Sequence, residues 1–384
     1  MANRFVLNET SYHGAGAIAE IATETRSRGF KKAFVCSDPD LVKFGVTQKV
    51  LDVLDKNGMA YELYSNIKPN PTIENVQTGV QAFKDAKTDY LIAIGGGSSM
   101  DTAKAIGIII NNPEHEDVIS LEGAVDTKNK SVPIFAVPTT AGTAAEVTIN
   151  YVITDAAKNR KMVCVDPHDI PVVAFIDPDM MSSMPKGLTA ATGMDALTHA
   201  IEAYTATCSE PIADAVSLYA IELIYNNLKT AVFEGDNLQA RSAMLMGSML
   251  AGIGFSHSDV ASVHCISEAL GGMFDLAHGV CNAVLLPHVM EYNKDYCVAK
   301  YARVAKAMGF EFKSDDEGAD LAVKAVQQLA LDVKLPLFSE LNVEPKDFDI
   351  LADKSAINIS TESNPRPMSK EDYLNVLNNA YNAK

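Results

Sequence analysis

Asp195 and His199 stand four residues apart in Gly193-Met-Asp-Ala-Leu-Thr-His-Ala-Ile-Glu202. On a helix that spacing puts both side chains on one face, within reach of one ion. The flanking Ala, Leu and Ile mark the face as buried, where an unpartnered carboxylate and imidazole are costly and a divalent cation would compensate both. An ordinary Asp–His hydrogen bond would also satisfy the pair. Five of the eight histidines fall between His199 and His288. Among them, His264 opens an apolar helical stretch, and His278-Gly279 follows Gly271-Gly272 and a turn expected at Asp275. Taken singly, each fits a core or loop position. Together, one carboxylate and three neutral imidazoles would leave a divalent ion with a residual charge of about +1 and a position open for a substrate oxygen. That arrangement is catalytic rather than structural.

A second group lies upstream. Gly95-Gly96-Gly97-Ser98 follows the apolar run Tyr90-Leu-Ile-Ala-Ile94 and precedes a helical stretch. Without a Cβ in the way, a diphosphate can approach backbone N–H groups at such a helix start. A plain strand-to-helix turn capped by Ser98 or Ser99 reads the same, and the segment is not the G-x-G-x-x-G fingerprint. Asp38, after the strand pattern Lys32–Ser37, could accept hydrogen bonds from an adenosine ribose and repel a 2′-phosphate, which favours NAD over NADP; it could equally cap a helix ahead of Pro39. Pro138-Thr-Thr-Ala-Gly-Thr143 is a third loop after an apolar strand, suited to cofactor contact or simply polar. A cation beside a nicotinamide would favour an alkoxide, from which hydride leaves, or polarise a carbonyl toward hydride attack. No G-x-S-x-G elbow and no G-x-x-x-x-G-K-[ST] loop occurs, which disfavours hydrolase and kinase readings.

The elements needed to position these groups divide the chain in two. Apolar strand patterns at 32–37, 61–64, 90–94, 132–137 and 171–176 alternate with helical stretches, including an amphipathic one at 74–86. This predicts a parallel sheet covered on both faces, an α/β domain over 1–183. From Met184-Pro185 onward the pattern is helical, with segments at 193–205, 211–229, 237–255, 260–272, 297–308, 316–332 and 369–382, an all-α domain over 184–384. With no repeat and no low-complexity linker, a crevice between packed halves is the default ligand site.

Composition agrees with that organisation. The 384 residues are 47% hydrophobic and carry a net charge of −17, a globular pattern that repels polyanions and makes nucleic acid an unexpected partner. Six cysteines without a C-x-x-C are too sparse for a disulfide scaffold and fit a reducing cytoplasm. No export signal or membrane span is expected.

The sequence resembles the iron-containing (group III) alcohol dehydrogenases almost end to end, and within them the type acting on lactaldehyde and 1,2-propanediol. The resemblance rests on Asn8-Glu-Thr, Lys68-Pro-Asn-Pro-Thr72, Gly95-Gly-Gly-Ser-Ser-Met-Asp-Thr-Ala-Lys104, Val137-Pro-Thr-Thr-Ala-Gly-Thr-Ala-Ala-Glu-Val-Thr148, Val165-Asp-Pro-His-Asp169, Gly187–His199, His278-Gly279 and Asn364-Pro-Arg366. It implies a Rossmann-like N-terminal domain and a helical metal-binding domain in a dehydroquinate-synthase-like architecture. It also implies Fe²⁺ or Zn²⁺ on Asp195, His199, His264 and His278, and assembly as a dimer or larger. Cofactor contacts are implied from Asp38, Asn70, Gly96, Gly97, Ser98, Asp101, Thr139, Thr140, Thr148 and Lys161, with Asn150, Val152 and Phe255 near nicotinamide and substrate. The expected function is NAD-dependent interconversion of a small primary alcohol or diol with its aldehyde. Ethanol, butanol and 1,3-propanediol are alternative substrates.

One local break stands out. The family pattern has a second His four residues after the third ligand, where this chain has Glu268; His257, Asp259 and Ala261 also depart from the pattern. Glu268 is expected to hydrogen-bond a ligand His, to coordinate the metal or to replace the missing imidazole, a role His257 could also fill. Ser360 lies where some relatives narrow the pocket. A lyase of the dehydroquinate-synthase type would need basic residues to grip a phosphorylated acid, yet no Lys or Arg lies between Thr189 and Cys208. A non-catalytic NAD- or metal-binding scaffold is the other rival.

Overall fold

Strand β2 (Lys32–Ser37) and strand β4 (Tyr90–Gly95) run side by side in parallel, every residue after Lys32 buried. The computed structural model that contains them describes residues 4–158 and 160–383. In chain order the first half holds β1 (Thr10–His13), α1 (Ile21–Ser27), β2, α2 (Pro39–Lys43), α3 (Val46–Lys56), β3 (Ala60–Tyr64), α4 (Ile73–Ala86), β4, α5 (Gly97–Asn111), β5 (Gly123–Ala124), β6 (Ile134–Pro138), β7 (Asn150–Asp155), β8 (Arg160–Val165) and β9 (Val173–Ile176). One sheet runs β1-β9-β6-β4-β2-β3, with every neighbouring pair parallel.

Alternate residues of this sheet enter two separate cores. Phe34, Cys36, Leu91 and Ala93 pack with Val76, Val80 and Phe83 of α4 and Met100, Ala103 and Ile106 of α5. Ala33, Val35, Tyr90, Ile92 and Ile94 pack with Ile21 of α1 and Val46, Val50 and Leu54 of α3. Both faces are dry, so the strands are continuous apolar runs rather than alternating ones. From β2 the chain steps out to the edge strand β3, then returns to β4 on the other side of β2. The order therefore reverses between β2 and β4, and the strand C-termini at that reversal, Ser37-Asp38 and Gly95-Gly96-Gly97, are where such sheets bind ligands.

A three-stranded sheet, β5-β8-β7, stands apart; its β7 and β8 form an antiparallel hairpin pairing Asn150 with Val165 and Asp155 with Arg160. The sequence reading had no strand here.

The second half is helical: α6 (Lys186–Thr205), α7 (Pro211–Phe233), α8 (Leu238–Ser256), α9 (Ser262–Phe274), α10 (His278–Ala307), α11 (Asp315–Asp332), α12 (Phe348–Ala356) and α13 (Lys370–Asn382). Helix α6 packs on α7, α8 and α10 and is buried almost all round from Thr189 to Thr205, as a helix without a polar face must be. Helix α10 starts at His278, well before the helical segment expected at 297; it carries Pro287 internally and departs from helical dihedrals at Cys297. Among the described residues no helix is long and apolar enough to cross a membrane. By contact the chain forms two units: residues through Thr140 with Ala144–Met184, and Ala141–Thr143 with the residues from Pro185 on.

Candidate metal centre and dinucleotide cradle

One ligand atom from each of Asp195, His199, His264 and His278 lies within 4.8 Å of the other three. Helix α6 contributes the first two, one turn apart. His264 sits in the first turn of α9 and His278 opens α10. The connection is short because Asp275 caps α9 in the left-handed conformation (φ 52°) and Ala277 already precedes the next helix. The His199 and His264 rings stack at 4.6 Å, and Phe255 covers the other face of His199 at 4.4 Å. Asp195, His199 and His264 are buried, while the His278 side chain is 28% exposed, so the group opens toward solvent on that side.

The electrostatics suit a divalent ion. Burial pushes His199 down to about 4, which keeps its imidazole in the neutral, ligating form. Burial alone would raise the Asp195 carboxyl, but His199, His278, His264 and an N–H of Asn282 outweigh it and hold it below its ordinary value. Asn282 Nδ2 donates to Asp195 Oδ1 at 2.7 Å and lies 3.1 and 3.2 Å from Nε2 of His264 and His278. One carboxylate and three imidazoles in a largely dry site are a donor set that Fe²⁺ and Zn²⁺ both accept.

The residues expected around the ligands stand differently. Glu268 accepts a hydrogen bond from Asn358 Nδ2 at 2.7 Å, and Glu202 is hydrogen-bonded to His264 Nδ1 at 2.5 Å. His257 closes the end of α8, with its Nδ1 2.8 Å from the Ile253 carbonyl oxygen, and is not one of the four grouped residues. Ser360 donates to Asp259 Oδ1 at 3.1 Å, and Ser363 donates to Oδ2 at 2.6 Å. Glu202 had a signal in the sequence: Asp195, His199 and Glu202 fall at i, i+4 and i+7, one stripe of an otherwise apolar helix.

In the first unit, β4 ends at Gly95 with φ 150°, where a Cβ would also stand 2.5 Å from Ser99 Oγ. Gly96 is the N-cap of α5 and no side chain caps that helix, which leaves its first N–H groups to a ligand. Thr139 N donates to Gly95 O at 3.0 Å, and a Cβ on Gly96 would be 3.0 Å from Thr140 Oγ1, so Gly96, Gly97, Ser98, Thr139 and Thr140 form one small-residue surface. Asp38 caps α2, its Oδ1 accepting from Asp40 N and Leu41 N at 3.0 Å each. Asn70 takes a positive φ of 54° in the loop before α4.

Thr148, Asn150 and Val152 are held against α5 by two of its side chains. The wholly buried Lys104 Nζ donates to Thr148 O at 2.6 Å and Asn150 O at 2.8 Å, while Asp101 Oδ2 accepts from Val152 N at 3.1 Å. Burial pushes the Asp101 carboxyl up to about 7, partly offset by Lys104, the Val152 N–H and Lys161 of β8. Asp101 thus spends an oxygen on the backbone of β7. Lys104 was quoted in the sequence only as the end of a motif, and its fastening role shows only in the fold.

The two halves of the chain both match known proteins. A family model described as iron-containing alcohol dehydrogenase matches residues 8–178, and one described as the C-terminal part of the Fe-containing alcohol dehydrogenase family matches residues 189–381. The chain belongs to the iron-containing alcohol dehydrogenase family. It is 48% identical to lactaldehyde reductase of Escherichia coli (strain K12), over 99% of this chain and 100% of that protein. Its fold is similar to that of an alcohol dehydrogenase from Oenococcus oeni, with TM-score 0.96 and 38% identity over 99% of this chain and 100% of that one. It is also similar to sulfoacetaldehyde reductase from Bifidobacterium kashiwanohense in complex with NAD+, with TM-score 0.90 and 26% identity over 100% of each chain.

Proposed function

We propose that the chain is an NAD-dependent, metal-dependent oxidoreductase that interconverts a small primary alcohol or diol with its aldehyde, with 1,2-propanediol and lactaldehyde the first substrate pair. The observation that carries the reading is the gathering of Asp195, His199, His264 and His278 ligand atoms within 4.8 Å, in a chain of this family. The similarity to lactaldehyde reductase supports the substrate, and the NAD+ complex of the sulfoacetaldehyde reductase supports the cofactor.

In this reading the four residues hold Fe²⁺ or Zn²⁺, which supplies a Lewis acid for an alcohol or carbonyl oxygen. Asp195 brings the negative charge, and His199 remains a neutral donor because burial prevents its protonation. Phe255, stacked on His199, excludes water from that side. In the first unit the uncapped start of α5 receives the dinucleotide diphosphate on the N–H groups of Gly97 and Ser98, with Gly96, Thr139 and Thr140 giving it room. Asp38, after the end of β2, is assigned to the adenosine ribose, the two capping bonds falling on its Oδ1. Asn150 and Val152, fastened by Lys104 and Asp101, are assigned to the nicotinamide, and Asn70, Thr148 and Lys161 to the rest of the dinucleotide. The enzyme acts as a dimer or larger assembly in the cytoplasm.

The test is metal analysis of anaerobically purified protein, paired with NADH oxidation on lactaldehyde, propanal, butanal and 3-hydroxypropanal. Bound metal with the fastest turnover on lactaldehyde is expected. Air inactivation reversed by ferrous ion would select iron. If His264→Ala kept wild-type metal content and aldehyde-dependent NADH oxidation, the proposal would fall.

A further inference from the structure

We infer that Glu202 is a positioning residue with two tasks: it closes the N-terminus of α9 from a neighbouring helix, and it fixes His264 in the tautomer that presents Nε2 to the ion. The inference rests on reading the four-residue group as a metal site.

Helix α9 begins without a cap of its own. Its N-cap residue is Ala261, which has no side-chain acceptor, and the first turn contains no acidic residue. Unpaired N–H groups at a buried helix start are costly. Glu202, on α6, supplies what is missing: Oε2 accepts from Ala261 N at 3.0 Å and Oε1 accepts from Val263 N at 2.7 Å. The same Oε2 takes the Nδ1 proton of His264 at 2.5 Å. Glu202 and His264 are 4% and 3% exposed, so water does not replace these bonds. The two Glu202 oxygens at the helix N-terminus thus meet three N–H donors.

The chemistry at the ion follows from proton count. A neutral imidazole has one N–H, and Glu202 accepts no other nitrogen of that ring, so Nδ1–H leaves the Nε2 lone pair for coordination. Nε2 lies 3.1 Å from Asn282 Nδ2, which also contacts Asp195 Oδ1 and His278 Nε2. Helix α6 therefore governs three of the four ligands: Asp195 and His199 directly, and His264 through the seat Glu202 gives to α9.

The experiment compares wild-type protein with Glu202→Gln and Glu202→Asp, measuring Zn²⁺ affinity by chelator competition and thermal unfolding of the metal-free forms. Glu202→Gln is expected to weaken Zn²⁺ binding by about 10- to 100-fold and to lower the melting temperature without metal, because an amide NH2 replaces one of the two acceptor oxygens whether or not an ion is bound. Glu202→Asp, which keeps the charge but shortens the reach, should fall between. Wild-type Zn²⁺ affinity in Glu202→Gln would overturn the inference while leaving the metal site standing. Absence of Zn²⁺ binding by wild-type protein, by contrast, would remove the metal reading itself. Should Glu202→Gln not fold, Zn²⁺-loaded wild-type protein labelled with ¹⁵N-histidine decides the question: a protonated Nδ1 at His264 is expected, and a protonated Nε2 overturns the inference.

Discussion

A β-carbon on Gly279 would stand 2.5 Å from the carbonyl oxygen of Ala191 and 2.9 Å from its carbonyl carbon. Helix α10 thus begins directly against the backbone of α6, and His278 is held one residue from that contact. Backbone cannot move aside as a flexible side chain can. Gly279→Ala should therefore shift the start of α10, costing about 1–3 kcal/mol of stability and weakening metal binding by about tenfold or more, an estimate from 1.4 kcal/mol per decade. Chemical denaturation and chelator competition measure the two effects; unchanged metal affinity would mean that His278 is not placed by this contact.

Gly96 tests the cradle separately from the metal. Its missing Cβ leaves the space beside Thr140 Oγ1, 3.0 Å away. Gly96→Val fills that space and should weaken NADH binding by about tenfold or more, by the same conversion, while metal content stays at the wild-type level. Fluorescence titration of NADH, with metal analysis alongside, separates the two. Wild-type NADH affinity would exclude this turn from the dinucleotide site.

Legibility in the sequence followed burial. The strands at 32–37 and 90–94 could be read because both faces of the sheet are dry and nothing interrupts their apolar runs. The grouping of Asp195, His199, His264 and His278 could be read because titratable groups among Ala, Leu and Ile call for a partner. The hairpin at 150–165 escaped because only alternate residues, Tyr151, Ile153, Met162 and Cys164 among them, are buried, and Asp155, Arg160 and Lys161 break the apolar pattern at its turn end. Pro287 hid the first half of α10, since a proline ends most helical patterns. Glu202 was missed because the carboxylate was sought on the helix of His264 itself. It came instead from α6, across the packing interface, where only the fold could show it. The assignment of Ala141–Thr143 to the helical unit had no sequence signal.

Asp169 predicts a pH effect on stability. Burial pushes its carboxyl from 3.8 up to about 8, with Lys104 Nζ, 3.7 Å away, offsetting only part of the shift. The folded value is the higher one, so the folded chain keeps this proton longer than the unfolded chain. The associated stability is whole below about pH 4 and is lost as pH rises through about 8. Asp169→Asn removes the dependence, so its melting temperature relative to wild type should rise between pH 5 and pH 9, roughly the span between the two values. A constant difference across that span would contradict a buried neutral carboxyl.

The thiols predict a labelling pattern. Cys208 is exposed, and the other five cysteines are buried. Burial raises Cys36 and Cys265 strongly, Cys164 to about 12 and Cys297 to about 11, and Cys281 is inaccessible. Iodoacetamide at neutral pH should modify one site in the native protein, Cys208, and all six after denaturation. Peptide mass analysis reads the result, and early labelling of Cys265 would contradict the burial of α9 beside its ligand.

Strand β1 touches the main sheet only through β9, with Thr10 paired to Val173 and His13 to Ile176. Strand β1 leaves the ribosome long before β9 and must therefore wait for that strand, which emerges shortly before Asp195. A nascent chain halted between β9 and α6 would carry every strand of the six-stranded sheet and none of the four grouped residues. Synthesis thus completes the sheet's strands before Asp195 appears, and on the proposed assignment loading of an ion would await the emergence of His278.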